Sequence, residues 1–581
     1  MDAACYISEA VDRSIEAQAG AHVVFSGAGT SGRLCWMACE LLNEMFKERQ
    51  EGNVQAREKL KGWCSLAGGN RAFKKAVEHA EDDSTSAVAA LERILNLAPG
   101  SDNSVRDRNN SNTPPLVLVG VSCGMSATWV ASQVLHCLEL GGKVILLGFT
   151  PFEGCRGLFA EPEVYQKILS EKDKGNVIIL EPIVGPEFVT GSTRLKSGTA
   201  TKICLEVILC LALSFQAGVS EKKKLLHEAR TLVKDYTKTL RAVYHHRKGT
   251  DVAHPLITGG NTLRRNGRIV YAGYGREGML GIIDASEQLP TFGCLEQDFQ
   301  GFLLDEEVSP SMHEIIGKER CLPAFEKTLL TLTEKDTLFL IWNWDKISKH
   351  AHLSQSLSKS LGKMGLAKRT QKFSLIILSA SGPQCSSIDD CMKTHESLGA
   401  YWDRLLVEES TFFESRVSCE GLARKFALNG EIALKSALNC FSNGSNILNG
   451  KVYGNRMIDV RLSNKKLVER AIQIVTTVSE KPREDATRAI LQVLLDPESA
   501  DDEEKQRIKK FWQEVSDLNT TPLDECVERT VEDLVALASN KRKVVPTSVL
   551  LATGNYTLEE AKGALKNNEK SISGLVHNAL S

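Results

Sequence analysis

Several things are scarce or missing in this sequence, and each absence excludes something. Positive charge is not in excess: 71 Lys and Arg stand against 73 Asp and Glu in 581 residues, a formal net charge of −2. That leaves no electrostatic footprint for nucleic acid or for an anionic membrane surface. No C-x-x-C occurs among the 16 cysteines, which are scattered and often sit inside apolar stretches such as CLEVILCLAL (204–213). Neither a zinc site nor a disulfide framework is indicated, and no metal or cofactor is expected. Buried thiols in a reducing compartment, cytosol or nucleus, fit better. The longest apolar run, ICLEVILCLALSFQAGV (203–219), is interrupted by Glu206 and reads as a buried helix rather than a membrane span. The first 20 residues are amphipathic and acidic, without the charged-then-apolar layout of a signal peptide.

What is present is ordinary globular composition, 42% hydrophobic, on a chain long enough for two to four domains. An apolar strand, HVVFSGAG (22–29), runs into a glycine loop and then a helical stretch, GRLCWMACELLNEMFKER (32–49). GWCSLAGG (62–69), LVLVGVSCGMS (116–126), KVILLGF (143–149) and NVIILEPIVG (176–185) are further strand candidates, with a helix expected from about Arg71. Residues 96–115, rich in Asn, Ser, Asp and Pro, read as a surface loop. Strands without alternation, separated by helices, predict a doubly wound α/β unit whose parallel sheet is covered on both faces. The pattern recurs in GRIVYAGYGREGMLGIIDASE (267–287), TLFLIWNW (337–344) and KFSLIILSAS (372–381). Gly27 and Gly273 stand 246 residues apart, which implies two copies of one unit, 1–245 and 246–450. The charged, helical remainder, 451–581, reads as an all-helical cap.

Gly27-Ala28-Gly29-Thr30-Ser31-Gly32 satisfies G-x-G-x-x-G. A dinucleotide fold would need the next strand to end in an acid that binds the ribose, and here it ends LAGGN. The hydroxyls of Thr30 and Ser31, beside backbone amides at a helix start, suit a small phosphate instead. Ser122-Cys123-Gly124-Met125-Ser126 repeats the idea at another strand end. The competing reading is that both are tight strand–helix turns with Ser and Thr as caps.

GAGTSGRL, AGGNRAFKKAVEHAEDD, VGVSCGMS, VGPEFVTGSTRLKSGTATK and GKVYGNRMIDVRLSNKKLVERA together resemble the sugar isomerase (SIS) family. The resemblance is to the branch that holds the bacterial N-acetylmuramate 6-phosphate etherases and the animal glucokinase regulatory proteins. DASEQLPTFG, DFQGF and VVPTSVLLATGNYTLEEAKGAL favour the two-unit regulators, although the sequence starts close to the first helix, without their usual N-terminal extension. The resemblance implies a sugar-phosphate site in the first unit. Gly29, Thr30 and Ser31 match the phosphate loop, and Ser122, Gly124 and Ser126 its partner loop. Glu81 matches a carboxylate that holds sugar hydroxyls in the regulators and is a catalytic acid/base in the etherases. Lys466 and Arg470 match basic residues of the cap.

The etherases use a second glutamate within DASE. The first unit has Leu41 there, with Glu40 out of register, while the second keeps Glu287. Because SIS sites lie near unit interfaces, Glu287 is expected to face Glu81 and complete one composite site. The second unit's own loop has Arg276-Glu277 in place of Thr-Ser, and its partner loop reads IWNWDK (341–346), so a degenerate pocket and a single site are expected. Arg194 and Lys196 could equally hold their loop; Thr199 and Lys202 open a core helix, and His79 is assigned nothing.

Three readings remain open at this level. One is a regulator, monomeric with an internal pseudo-dimer, that binds fructose 6-phosphate or fructose 1-phosphate and inhibits a glucokinase- or hexokinase-type partner. Another is an etherase-like lyase using Glu81 and Glu287 in elimination of a lactyl ether. The third is a hexose-phosphate sensor with a different partner.

Overall fold

The structure is a computed structural model. It describes residues 1–16, 21–49, 60–96 except 76 and 78, 115–216, 221–244, 250–305, 310–343 except 330, 374–380, 412–414, 428–497 except 463, 501–516, 527, 530–566 except 540, and 572–580. The expected surface loop at 96–115 and the end of IWNWDK fall almost wholly outside these residues.

Each half of the chain builds one parallel sheet. The first holds β1 (Ala21–Gly27), β2 (Leu60–Leu66), β3 (Leu116–Val121), β4 (Lys143–Leu147) and β5 (Val177–Leu180), in the order β2-β1-β3-β4-β5. The second holds β6 (Ile269–Gly273), β7 (Phe299–Leu303), β8 (Thr337–Asn343), β9 (Ser374–Ala380) and β10 (Phe412–Glu414), in the order β10-β9-β8-β6-β7. Taken from its other edge, the second order repeats the first strand for strand, as the sequence repeat requires. Every pairing within both sheets is parallel. β1 and β3 are buried along their whole length, which explains their unbroken apolar sequence.

Four helices fix the relation of the halves. α1 (Gly29–Arg49) follows β1, α2 (Lys196–Gln216) lies beyond β5 in the first unit, α3 (Gly275–Phe292) follows β6, and α4 (Leu428–Leu448) ends the second. One apolar core crosses the seam, joining Trp36, Met37 and Phe73 of the first unit to Leu280, Ile283 and Phe441 of the second. Burying such side chains contributes roughly 1.5–3 kcal/mol each. A charged cluster lies beside it. Lys202 Nζ stands 2.5 Å from Glu206 and 2.6 Å from Glu431, Arg276 Nε donates to Glu431 at 2.6 Å, and Tyr236 donates to Glu206 at 2.7 Å. Burial pushes the Glu206 carboxyl up; at Glu431 burial is outweighed by Arg276 and Lys202, and that carboxyl is held low. Among the described residues α2 is the one helix long and apolar enough to cross a membrane, but it is mostly buried in the protein and carries two members of this cluster.

The C-terminal lid begins with a two-stranded hairpin, β11 (Val452–Tyr453) and β12 (Arg456–Met457). Its helices include α5 (Lys465–Ser479) and α6 (Val544–Ala552), and they share a core of their own around Ile472, Val475, Phe511 and Val549.

Lys202 neutralises two buried carboxylates, so Lys202→Met leaves uncompensated charge in the seam. We expect a loss of about 3–5 kcal/mol in urea denaturation; a loss below about 1 kcal/mol would show that the cluster is not what locks the halves together.

Candidate functional site

β1 and β3 are neighbours whose connections leave in opposite directions, so a crevice opens beyond their carboxyl ends, where open parallel sheets bind ligands. Both hydroxyl-bearing loops lie there. The third glycine of the first loop allows α1 to start directly against β1: a Cβ on Gly32 would stand 2.5 Å from the carbonyl oxygen of Gly27 and 2.3 Å from Leu66 Cδ1. Ser31 Oγ lies 3.3 Å from Cys123 Sγ, which ties the loops together. Ser122 Oγ accepts the amides of Ser126 at 3.0 Å and Ala127 at 3.1 Å, so it also organises its own turn. Two non-glycine residues beside the crevice sit in the left-handed region, Met125 at φ +46° and His79 at φ +56°. Such strain costs of the order of 1 kcal/mol each and tends to collect at binding sites.

A cavity of about 180 Å³ opens beside these loops, lined by Gly29, Thr30, Glu81, Arg194, Glu287 and Arg470 among others. Three parts of the chain meet in it: the first unit, α3 of the second, and α5 of the lid. Glu287 crosses the seam and is 3% exposed. Its Oε1 accepts the Thr30 hydroxyl at 2.5 Å, Arg33 Nη1 lies 3.7 Å from that oxygen, and Arg194 Nη1 lies 3.8 Å from Oε2. Arg33 is fixed by the carbonyls of Phe73 and Ala72 at 3.1 and 2.7 Å. Arg194 spends Nη2 on Asn443 at 2.8 Å and Gln288 at 3.3 Å. Its Nε and Nη1 are buried with no hydrogen-bond acceptor among the described residues.

A second polar layer backs Glu287. Asp284 accepts from Asn439 at 2.9 Å and Ser442 at 3.0 Å; burial, partly offset by Arg194, pushes its carboxyl up to about 6. Lys435 Nζ donates to the Arg194 carbonyl at 2.9 Å, Thr199 Oγ1 at 3.1 Å and Asn439 Oδ1 at 2.8 Å. Burial pulls that ammonium down to about 8, against the pull of Glu287 and Asp284.

Arg470 reaches the cavity by passing over Gly191, whose carbonyl accepts its Nη1 at 2.8 Å. Gly191 has φ +85°, and a Cβ there would stand 2.4 Å from Arg470 Cζ, so only glycine admits this approach. Burial lowers the pKa of Arg470, Arg156 lowers it further, and Glu81 opposes both.

Of the residues singled out in the sequence, the cavity brings together Gly29, Thr30, Glu81, Glu287 and Arg470. Ser31, Ser122, Gly124 and Ser126 stand in the adjoining loops rather than in its lining. The Lys466 backbone lies in the first turn of α5, and its side chain lies outside the described residues. The helix expected from about Arg71 is only one turn long, stopping at Lys74, and Glu81 sits in a turn before the next helix, Ser84–Asn96. Ending the helix early turns this carboxylate towards the cavity instead of along a solvated stripe.

Arg33, Arg156 and Asp284 were not anticipated. Arg156 Nη2 lies 3.2 Å from where a Cβ on Gly124 would stand, which adds a cation at the second loop.

In the second unit the equivalent loop is occupied from within. The Gly275 amide donates to Asp305 Oδ2 at 2.7 Å, a carboxylate where a bound phosphate oxygen would otherwise accept. Arg276, at the position of Thr30, pairs with Glu431 and with Glu44 of α1. The second loop still meets the facing helix across the seam, but through Glu44 rather than through Leu41, which stands at the position of Glu287.

Paired parallel sheets of this order, with hydroxyl-bearing loops at the switch point and a helical lid over them, define a SIS-domain protein. Residues 6–138 match the family model of the glucokinase regulatory protein N-terminal SIS domain, and residues 454–519 that of the C-terminal lid domain of glucokinase regulatory protein. Glucokinase regulatory protein of Xenopus laevis is 25% identical over 96% of this chain and 81% of its own length, and that of Rattus norvegicus 26% over 97% and 81%. N-acetylmuramic acid 6-phosphate etherase 1 of Bacillus licheniformis is 29% identical over 47% of this chain and 81% of its own length. The chain is thus similar to glucokinase regulatory protein along nearly its whole length, and its similarity to the etherases is confined to about half of the chain or less.

Lys435 offers a pH test of the polar layer. Folded, it loses its proton at about 8, against 10.5 when unperturbed. Below pH 8 it is charged in both states and its burial carries the full penalty; between about 8 and 10.5 the folded form is neutral while the unfolded chain still binds the proton, so stability rises with pH. The stability of the wild type minus that of Lys435→Met should therefore rise by up to about 1.4 kcal/mol per pH unit across that window in urea titrations. A flat difference would contradict the buried, depressed ammonium.

Proposed function

We propose that the chain is a sugar-phosphate-binding regulator that takes a fructose phosphate into this cavity and inhibits a glucokinase- or hexokinase-type partner. The observation that carries the reading is the convergence of Thr30, Glu81, Glu287 and Arg470, from three parts of the chain, on one cavity. In this scheme the amides at the start of α1, with the hydroxyls of Thr30 and Ser31, hold the phosphate. The Ser122–Ser126 loop closes its other side, and Arg470 and Lys466 bring positive charge from the lid. Glu81 and Glu287 accept sugar hydroxyls. Fructose 6-phosphate and fructose 1-phosphate place the phosphate at opposite ends of the sugar, so they can favour different lid positions and act in opposite senses on the partner.

One observation favours a second reading, etherase-like elimination: two carboxylates, Glu81 and Glu287, face the same cavity. Glu287, however, already accepts the Thr30 hydroxyl and is flanked by two guanidiniums. That suits a fixed acceptor better than a group that must exchange a proton in each turnover.

The test is a glucokinase assay at fixed glucose with purified protein. Inhibition should strengthen with fructose 6-phosphate and weaken with fructose 1-phosphate. Glu287→Gln, which removes a charged acceptor, should weaken fructose 6-phosphate binding by about tenfold or more in calorimetry. Absence of inhibition, together with lactate release from N-acetylmuramate 6-phosphate that is lost in Glu81→Gln, would overturn the regulator in favour of the lyase.

A further inference from the structure

A larger cleft lies at the opposite edge of the second sheet, where the chain enters β6 and β7. Its walls are the turns around residues 264–267 and 293–298, the end of α4, and lid segments 459–462 and 541–544. Its volume is about 1490 Å³, against about 180 Å³ for the sugar cavity. Small-molecule sites usually occupy about 300–1,000 Å³, so a longer occupant fits better than a metabolite.

The cleft is positive in a chain that is not. Eight Lys or Arg line it against four Asp or Glu, while the whole chain carries a formal −2. The acids are already matched: Glu296 pairs with Lys75 at 2.6 Å, Asp459 with Lys451 at 2.8 Å, and Glu319 with Lys74 at 2.5 Å, while Asp298 caps the Leu295 amide at 2.7 Å. Three consecutive cations, Lys541-Arg542-Lys543, form the turn that starts α6; Lys541 Nζ donates to the Asp496 carbonyl at 3.3 Å and Lys543 Nζ to the Leu565 carbonyl at 2.6 Å. Lys543 holds the left-handed conformation at φ +56°, and no side chain caps that helix start. Burial lowers the pKa of both lysines, against the pull of Asp496 and Glu504 at Lys541 and of Asp459 at Lys543, with Lys562 and Lys451 adding smaller repulsions. Gln300 Oε1 is buried in the same lining with no hydrogen-bond partner among the described residues. Leu289, partly exposed, places apolar surface between the charges, with Phe302, Leu462 and Ile572 buried behind the wall.

We infer that this cleft receives an acidic segment of a partner protein, rich in Glu or Asp with interspersed apolar side chains. The two cavities share a wall at Val460. An occupant of the cleft therefore bears on the same lid segment that bounds the sugar cavity, and each ligand changes the other's affinity by the same factor. This coupling, unlike the cleft itself, rests on the sugar-phosphate reading above.

The test uses the full-length protein and a fluorescein-labelled (Glu-Glu-Leu)4 peptide followed by anisotropy. We expect salt-sensitive binding that weakens about tenfold or more in Lys541→Glu/Arg542→Glu. Lys222→Glu/Lys223→Glu, on an exposed helix of the first unit, changes net charge equally and should leave binding within about twofold. No binding, equal weakening by both pairs, or equal binding of the peptide with Gln for Glu would overturn the proposal. Saturating fructose 6-phosphate should shift peptide affinity about threefold or more. An unchanged affinity in protein whose melting point rises with the sugar would overturn the coupling. Peptide binding without any sugar-induced melting shift would sustain the cleft and count against the sugar-phosphate reading.

Discussion

A carboxylate donated by one half of the molecule and lodged between two guanidiniums of the other is the contact on which the rest depends. Glu287 leaves α3, crosses the seam, and meets Thr30, Arg33 and Arg194 of the first unit. None of these groups could be buried alone without a large desolvation cost, so the halves must dock for either to be satisfied. The same docking positions the only α3 carboxylate that reaches the cavity. Holding the halves together and building the site are one event.

The two units share a strand order and a loop frame, yet only one loop is left open to a ligand among the described residues. The difference arises from single side chains. Thr30 is small and can share its hydroxyl with Glu287 while leaving room beside it. Arg276, its counterpart, fills that room and pairs with Glu431 and Glu44. Asp305 then takes the Gly275 amide. Duplication supplied two phosphate-type loops, and the second is now satisfied by the chain's own charges, which turns it from a site into part of the seam.

Much of this could be read in the sequence because it is local. A glycine loop between an apolar run and a helix, repeated 246 residues on, gives the two units and the ends of the strands that matter. DASE surviving only at the second copy points to Glu287 as the cross-seam acid. Arg33, Asp284 and Asp305 could not be found this way, since their roles come from packing between segments 30 or more residues apart and no spacing encodes it. The composition of EHAEDD favours helix locally. The left-handed turn at His79 overrides that preference to bring the carboxylate to the cavity.

The central claim is a composite site, built from the first unit, the second unit's Glu287 and the lid. A crystal structure with fructose 6-phosphate tests it most directly. The account predicts one sugar per chain, its phosphate on the Thr30–Ser31 loop and its hydroxyls on both Glu81 and Glu287. A sugar held without Glu287, or bound at the Gly275 loop of the second unit, would contradict it.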